Sequence, residues 1–194
     1  MPVLQRDAVR TRQALLDAAA QAIVAHGPGV SLDAIAREAG VSKGGLLHHF
    51  RSKEALLVGL VDEWLARFEA AVLRQLDDDK DNDRPGRLTR AHIRATFDDE
   101  AAVDNGLWGH TSVLTALLAV PEVLARSQES ERRWRRELAD DGLHPQRALL
   151  IGHALDGASM TELFEGRVDG AEREQTRALL LALTEETGPL IPIG

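Results

Sequence analysis

Six residues in a seven-position stretch, Ser42, Lys43, Gly44, Gly45, Leu47 and His48, carry groups suited to meeting a polyanion inside a groove. They offer a hydroxyl, an ammonium, two bare backbone segments, a methyl-bearing side chain and an imidazole. Such a set can approach the major groove of duplex DNA closely, contact phosphates through a helix N-terminus and meet a thymine methyl. Just beyond, Ser52 and Lys53 place a cation and free backbone N–H groups where a neighbouring phosphate could sit. Ser31, at the head of the preceding helix, completes the candidate DNA-contacting set.

The elements that must position these groups can be read around them. Ser31 is a good N-cap, and Leu32, Ile35, Ala36 and Ala39 recur at helical spacing, giving a short helix with one apolar face. Gly40 ends it, because glycine takes the left-handed conformation at low steric cost, and Ser42 can cap a second helix starting at Lys43. Two short helices joined by such a turn form a helix-turn-helix. Ala36 must then be small where the helices cross, Val41, Leu46 and Phe50 point into the core, and the first turns of the second helix face outward. The same pattern also serves as a plain αα-hairpin with no DNA role.

The run AIAREAGVSKGGLLHHFRSKEALL, residues 34 to 57, closely resembles the DNA-binding signature of the tetracycline-repressor (TetR) family of bacterial transcriptional regulators, IA-x-x-AGVSKGTLYHHF-x-SKE-x-L. The likeness covers about residues 10 to 60; the rest of the chain resembles the family in length and helical layout. Gly45 stands where the family often has Thr, Ala or Ser, and Leu47 where it usually has a phosphate-contacting Tyr. The resemblance implies a homodimer on a palindromic operator, a bundle formed by the last two helices of each subunit, and release by a small molecule bound among the later helices.

The net charge of −8 becomes intelligible once divided. Residues 1 to 55 hold seven Lys or Arg against five Asp or Glu, and the remainder holds 16 against 26. The basic end would face phosphate while the acidic body repels it, and an acidic surface also aids solubility. With no Cys there is no disulfide or thiolate chemistry, and the seven His lack zinc-finger spacing. No apolar run is long enough to span a bilayer, so the expected location is the cytoplasm.

The hydrophobic periodicity predicts an all-α chain of about nine helices, with a helix-turn-helix domain over 1–55 and an effector-binding and dimerisation domain over 56–194. A scaffold helix over 8–26 carries the stripe Leu15, Leu16, Ala19, Ala20 and Ile23, with Arg6, Arg10 and Arg12 available as a DNA-reaching arm or as a solvated helix start. From Lys53 an apolar pattern runs through Leu76 for almost six turns, a connecting helix. The acidic stretch DDDKDNDRPG, 77–86, reads as an exposed loop. Further helices are expected at about 88–103, 107–119, 121–140, 145–165 and 170–187, punctuated by Asn105-Gly106, Pro121, Gly142, Pro145, Gly166, Asp169 and Gly188.

The helix over 145–165 is apolar all round, which in a folded soluble protein means burial on more than one side. One side mixes His153, Asp156 and Met160 into an apolar face, as a ligand pocket would; with Trp64, Phe68, Phe97, Trp108 and Thr111 these are the candidate effector contacts. The other side, Ile151, Leu155, Ala158 and Ser159, is small and apolar, and with Leu179, Leu180 and Leu183 forms the expected dimer seam, with Leu150, Ala154 and Gly157 as the alternative face. His153 and Asp156 at i, i+3 could share a metal, but a site needs further ligands at fixed geometry and only His110 or His144 is at hand; a mutually satisfied buried pair is the commoner arrangement. There is no nucleophile motif, phosphate loop or paired-carboxylate signature, so neither an enzyme nor a cofactor is expected. The rivals to a ligand-responsive repressor are a regulator controlled by a protein partner and a metal-dependent sensor or enzyme.

Overall fold

The computed structural model describes residues 3–27, 29–78, 84–97, 117, 120–165 and 169–192. Among them are eight α-helices and no strand: α1 (Val3–His26), α2 (Leu32–Glu38), α3 (Lys43–His49), α4 (Lys53–Asp78), α5 (Arg87–Thr96), α6 (Pro121–Ala139), α7 (Pro145–Glu165) and α8 (Gly170–Ala182). The architecture is all-α, as the periodicity predicts, and the count is close to nine. Apart from Leu117, which is helical and buried, the helix expected over 107–119 lies outside the described residues, as do Asn105-Gly106, Gly166 and residues 79–83 of the acidic stretch. No helix among the described residues is long and apolar enough to cross a membrane.

Packing divides the chain into two compact units, Met1–Trp64 with Gly106–Ser127, and Leu65–Asn105 with Gln128–Gly194. Each is discontinuous in sequence. The first turns of α4 bury Leu56, Leu57, Leu60 and Val61, and the first unit includes the chain through Trp64. At ~1.5 Å per residue α4 is about 39 Å long, and it supplies residues to both units.

In the first unit short-range signals account for the structure. The α1 stripe Leu15, Leu16, Ala19, Ala20 and Ile23 is wholly buried, as are Ile35 and Leu46. Gly40 adopts φ +68°, and the Val41 amide then donates to the Ala36 carbonyl at 2.9 Å, closing the turn between α2 and α3. Ser31, Ser42 and Ser52 each accept a backbone N–H at the head of a helix, from Ala34 (3.2 Å), Gly45 (3.0 Å) and Ala55 (3.1 Å). Each such cap stabilises its helix by ~1 kcal/mol. Gly59 on α4 lies against Phe50, where an added Cβ would come within 2.7 Å of Cε1. Close approach of α4 to the end of α3 therefore needs a residue without a side chain.

The second unit centres on α5, whose sequence RLTRAHIRAT looks like a surface helix, yet Thr89, Arg90, Ala91, His92, Ile93 and Ala95 are buried. Its N-cap, Gly86, has no side chain to offer. The missing cap comes from Asp141 in the loop after α6: Oδ1 accepts from the Leu88 amide (3.1 Å), and Oδ2 from the Thr89 amide (2.7 Å) and hydroxyl (2.8 Å). The carboxylate also meets the positive end of the helix dipole. Arg90 turns back to donate to the Pro85 carbonyl at 2.8 Å. Around α5 pack two apolar clusters, one of Ala71, Val72, Ala91, Ala95 and Trp134, the other of Ile93, Phe97, Leu143, Ile151, Leu155 and Leu180. Beyond α8 the chain returns to the head of α7. There the buried Arg147 donates to the Gly188 (2.6 Å) and Leu183 (2.8 Å) carbonyls, and the Gln146 carbonyl oxygen accepts from the Leu190 and Ile191 amides.

Candidate functional site

The first candidate surface is the outer face of α3. Leu46 and Phe50 turn into the core, with Val41 half-buried, which leaves Ser42, Lys43, Gly44, Leu47 and His48 exposed on one side and Gly45 half-exposed beside them. The Ser42 oxygen accepts from Gly45, and its hydroxyl proton can still be donated. Space around Gly45 is open: an added Cβ would meet only Ser42 Oγ at 3.4 Å and Val41 Cβ at 3.8 Å. The two lysines differ. Lys43 Nζ lies 2.7 Å from Asp33 Oδ2 in an exposed pair, free to exchange partners, whereas Lys53 is half-buried and donates to the Val30 carbonyl at 2.8 Å. A lysine expected at a phosphate thus holds the segment leading into α2, beside the Ser31 cap. Of the arginines considered for an arm, Arg12 lies 5.1 Å over the Phe50 ring and Arg10 pairs with Asp7 at 3.2 Å.

The second candidate lies wholly within the second unit, a cavity of about 290 Å³ bounded by α5, α6 and α7. α6 lines it with Glu131, Trp134, Arg135 and Leu138, at i, i+3, i+4 and i+7. α7 adds a stripe containing Ala148, Leu149, Gly152, His153 and Asp156, and α5 supplies His92. Arg135 forks between two carboxylates, with Nε 2.6 Å from Glu131 Oε1 and Nη2 3.2 Å from Asp156 Oδ2. Loss of solvent pushes the Asp156 carboxyl pKa up, and repulsion from Glu131 adds to this, while Arg135 and His153 pull it back. The His92 imidazole is 9% exposed and packs edge-to-face against Phe68 (5.0 Å) and Trp134 (4.8 Å). Its Nδ1 has no hydrogen-bond partner among the described residues, and burial holds its pKa down to about 4, so the ring is neutral at physiological pH.

Of the expected effector contacts, His153 and Asp156 line this cavity and Phe68 stands one layer behind it, against His92. Phe97 is instead a core residue beneath the Arg173 guanidinium (5.2 Å), Trp64 belongs to the first unit, and Met160 is half-exposed away from the cavity. Trp108 and Thr111 lie outside the described residues. The sequence reading missed His92, Glu131, Trp134 and Arg135 as a group. On α6 the signal was the one used for α7, a ring and charges mixed into an apolar stripe.

Of the residues expected at the dimer seam, Ile151, Leu155 and Leu180 are buried in the chain's own core and Ala158 and Leu183 pack against it, whereas Leu179 and Ser159 are exposed. Among the described residues of these two helices, the exposed large apolar side chains are Leu149, Leu150 and Met160 on α7 and Leu179 on α8, with Ser159 and Gly157 also exposed. No group of three or more potential metal ligands occurs among the described residues.

Residues 15–60 match the family profile of bacterial regulatory proteins of the tetR family, and residues 86–185 that of tetracyclin repressor-like C-terminal domains. The HTH-type transcriptional regulator BetI of Escherichia coli K12 is 27% identical over 182 residues, 92% of either chain. Among solved structures, the fatty acid degradation regulator FadR of Bacillus halodurans superposes with a TM-score of 0.67 at 20% identity, covering 88% of this chain and 94% of its own. The multidrug binding protein EbrR, complexed with malachite green, gives 0.66 at 22%, covering 90% and 98%. These likenesses establish a shared fold.

Proposed function

Because the chain belongs to the tetracycline-repressor family of bacterial transcriptional regulators, with a DNA-binding N-terminal domain, we propose that it is a dimeric, cytoplasmic repressor released from a palindromic operator by a small molecule. The observation that carries the DNA half is the exposed face of α3, where Ser42, Lys43, Gly44, Gly45, Leu47 and His48 stand clear of the core. Gly44 and Gly45 allow the helix backbone to come close to base edges, and Leu47 offers an apolar contact to a thymine methyl. Lys53 and Ser31 act by fixing the approach to α2.

One such helix reads only a few base pairs, so specific affinity needs two copies held about one helical turn apart, ~34 Å. Leu150 and Gly157 on α7 with Leu179 on α8 supply the unpartnered apolar surface for that pairing. Among the described residues, nothing beyond Gly157's own stretch of helix lies within 4 Å of where a Cβ would stand. A mid-helix glycine costs ~1 kcal/mol relative to alanine, and close approach of a second α7 is a reason to keep it.

The cavity is the effector site in this reading. An effector acts only through a difference in affinity between the DNA-competent and incompetent states. Phe68, against His92, lies on the same continuous helix as Gly59, against Phe50, so displacement of the cavity wall is felt along α4. Sequencing genomic fragments retained by the purified protein tests the whole reading: an inverted repeat should emerge, with half-sites about one turn apart. In Gly157→Arg, sedimentation should show a folded monomer whose operator affinity has fallen at least ~100-fold. Recovery of fragments without a common motif would remove the DNA reading, and a monomer with full affinity would remove the two-half-site mechanism.

A further inference from the structure

The cavity's charges do not balance. Two carboxylates, Glu131 and Asp156, share a single guanidinium, and the Arg135 contact to Asp156 at 3.2 Å is longer than the one to Glu131 at 2.6 Å. Arg135 can keep Glu131 and surrender Asp156, since both side chains of that longer pair are about half exposed and little desolvation must be reversed. Deeper in, His92 supplies a neutral imidazole whose buried Nδ1 makes no hydrogen bond among the described residues, and its ring forms part of the cavity wall. Leu138, Leu155 and Trp134 add an apolar lining.

We propose that this cavity binds a small organic ammonium bearing at least one N–H, its cationic head at Asp156 and Glu131 and its apolar body against His92, Trp134 and Leu138. The proposal rests on reading the cavity as the effector site and names the chemical class that site takes. A volume of about 290 Å³ is at the bottom of the range for small-molecule sites, which keeps the ligand small. An anion would have to displace a carboxylate from Arg135 and then face the other. A quaternary ammonium carries no hydrogen for Asp156 or Glu131 and depends on open aromatic faces. Here one face of Trp134 is already covered by the Arg133 guanidinium at 5.2 Å, and the rings of His92 and Trp134 meet edge-to-face rather than forming a cage.

Calorimetric titration of the full-length protein with four probes on one skeleton tests this: phenethylamine, phenethyl alcohol, phenylacetate and phenethyltrimethylammonium. Phenethylamine should bind most tightly. Asp156→Asn, at a half-exposed position that leaves the helical circular-dichroism signal intact, should weaken it about 10- to 100-fold, as loss of a charge-assisted hydrogen bond does. His92→Phe keeps the aromatic wall against the apolar body, so it should change phenethylamine and the trimethyl probe alike, by no more than a few-fold. The proposal is overturned, with the effector-site reading intact, if the alcohol or phenylacetate binds as well as the amine, or if Asp156→Asn binds the amine undiminished. If none of the four binds at millimolar concentration or releases operator DNA, both fail together.

Discussion

Ser42 closes the head of α3 from the adjacent position, whereas the head of α5 is closed by Asp141, 52 residues beyond Thr89. The two regions follow these examples throughout. In the helix-turn-helix every cap, turn and apolar stripe is local, and the residues proposed to meet DNA lie outside the core. Around α5 the cap comes from a distant segment and the core gathers residues from several helices, of which Trp134 and Leu155 also line the cavity. A recognition surface can therefore change without cost to folding, while a change near the cavity alters ligand binding and stability at once.

The largest expected effect sharpens this contrast on the recognition side. Gly45→Glu should reduce operator affinity at least ~100-fold through charge repulsion and bulk, while the thermal midpoint barely moves, since nothing crowds that position; a fall in midpoint matching the loss of binding would show that α3 is not separable from the core. On the cavity side the His92 ring must stay neutral when folded, with its pKa lowered from 6.5 to about 4. Between those values the unfolded chain binds more protons, so this contribution is complete above about pH 6.5 and disappears as pH falls toward 4. Wild type should lose about 2 to 3 kcal/mol more than His92→Phe between pH 7.5 and 4.5 by urea unfolding, and parallel pH profiles would break the assignment.

Asp141→Ala should destabilise by about 1 to 3 kcal/mol, since it strands two helix-terminal amides and a buried hydroxyl. Denaturant midpoints measure this, and a loss below about 0.5 kcal/mol would mean that α5 is capped in some other way. The smallest effect is at Lys43, whose removal should lower the salt slope of DNA binding by about 0.9 without altering stability; an unchanged slope would leave its ammonium on Asp33.

What was legible in the sequence follows the same division. The starts of α2, α3 and α4 could be placed from Ser31, Ser42 and Ser52 because the cap and the helix it closes are neighbours in the chain. α7 began at Pro145 for a similar reason. The burial of Thr89 and His92 was not legible, since their partners Asp141 and Phe68 are brought in by tertiary packing and leave no periodic trace. Which face of α7 forms a seam was not legible, because apolar residues surround that helix and periodicity cannot tell a face turned toward its own core from one turned toward another molecule.

Gln146 and Arg147 have a consequence for how the molecule exchanges hydrogen with solvent. Residues 184–192 carry no helix, and such segments ordinarily exchange their amide hydrogens quickly. Here the Leu190 and Ile191 amides are both held by one side-chain oxygen, and the bend that brings them there is fixed by a buried guanidinium on the Leu183 and Gly188 carbonyls. Deuterium should enter those two amides slowly and together, at the rate at which the head of α7 lets go of its side chains, making an irregular terminus a reporter of local opening at the far end of another helix.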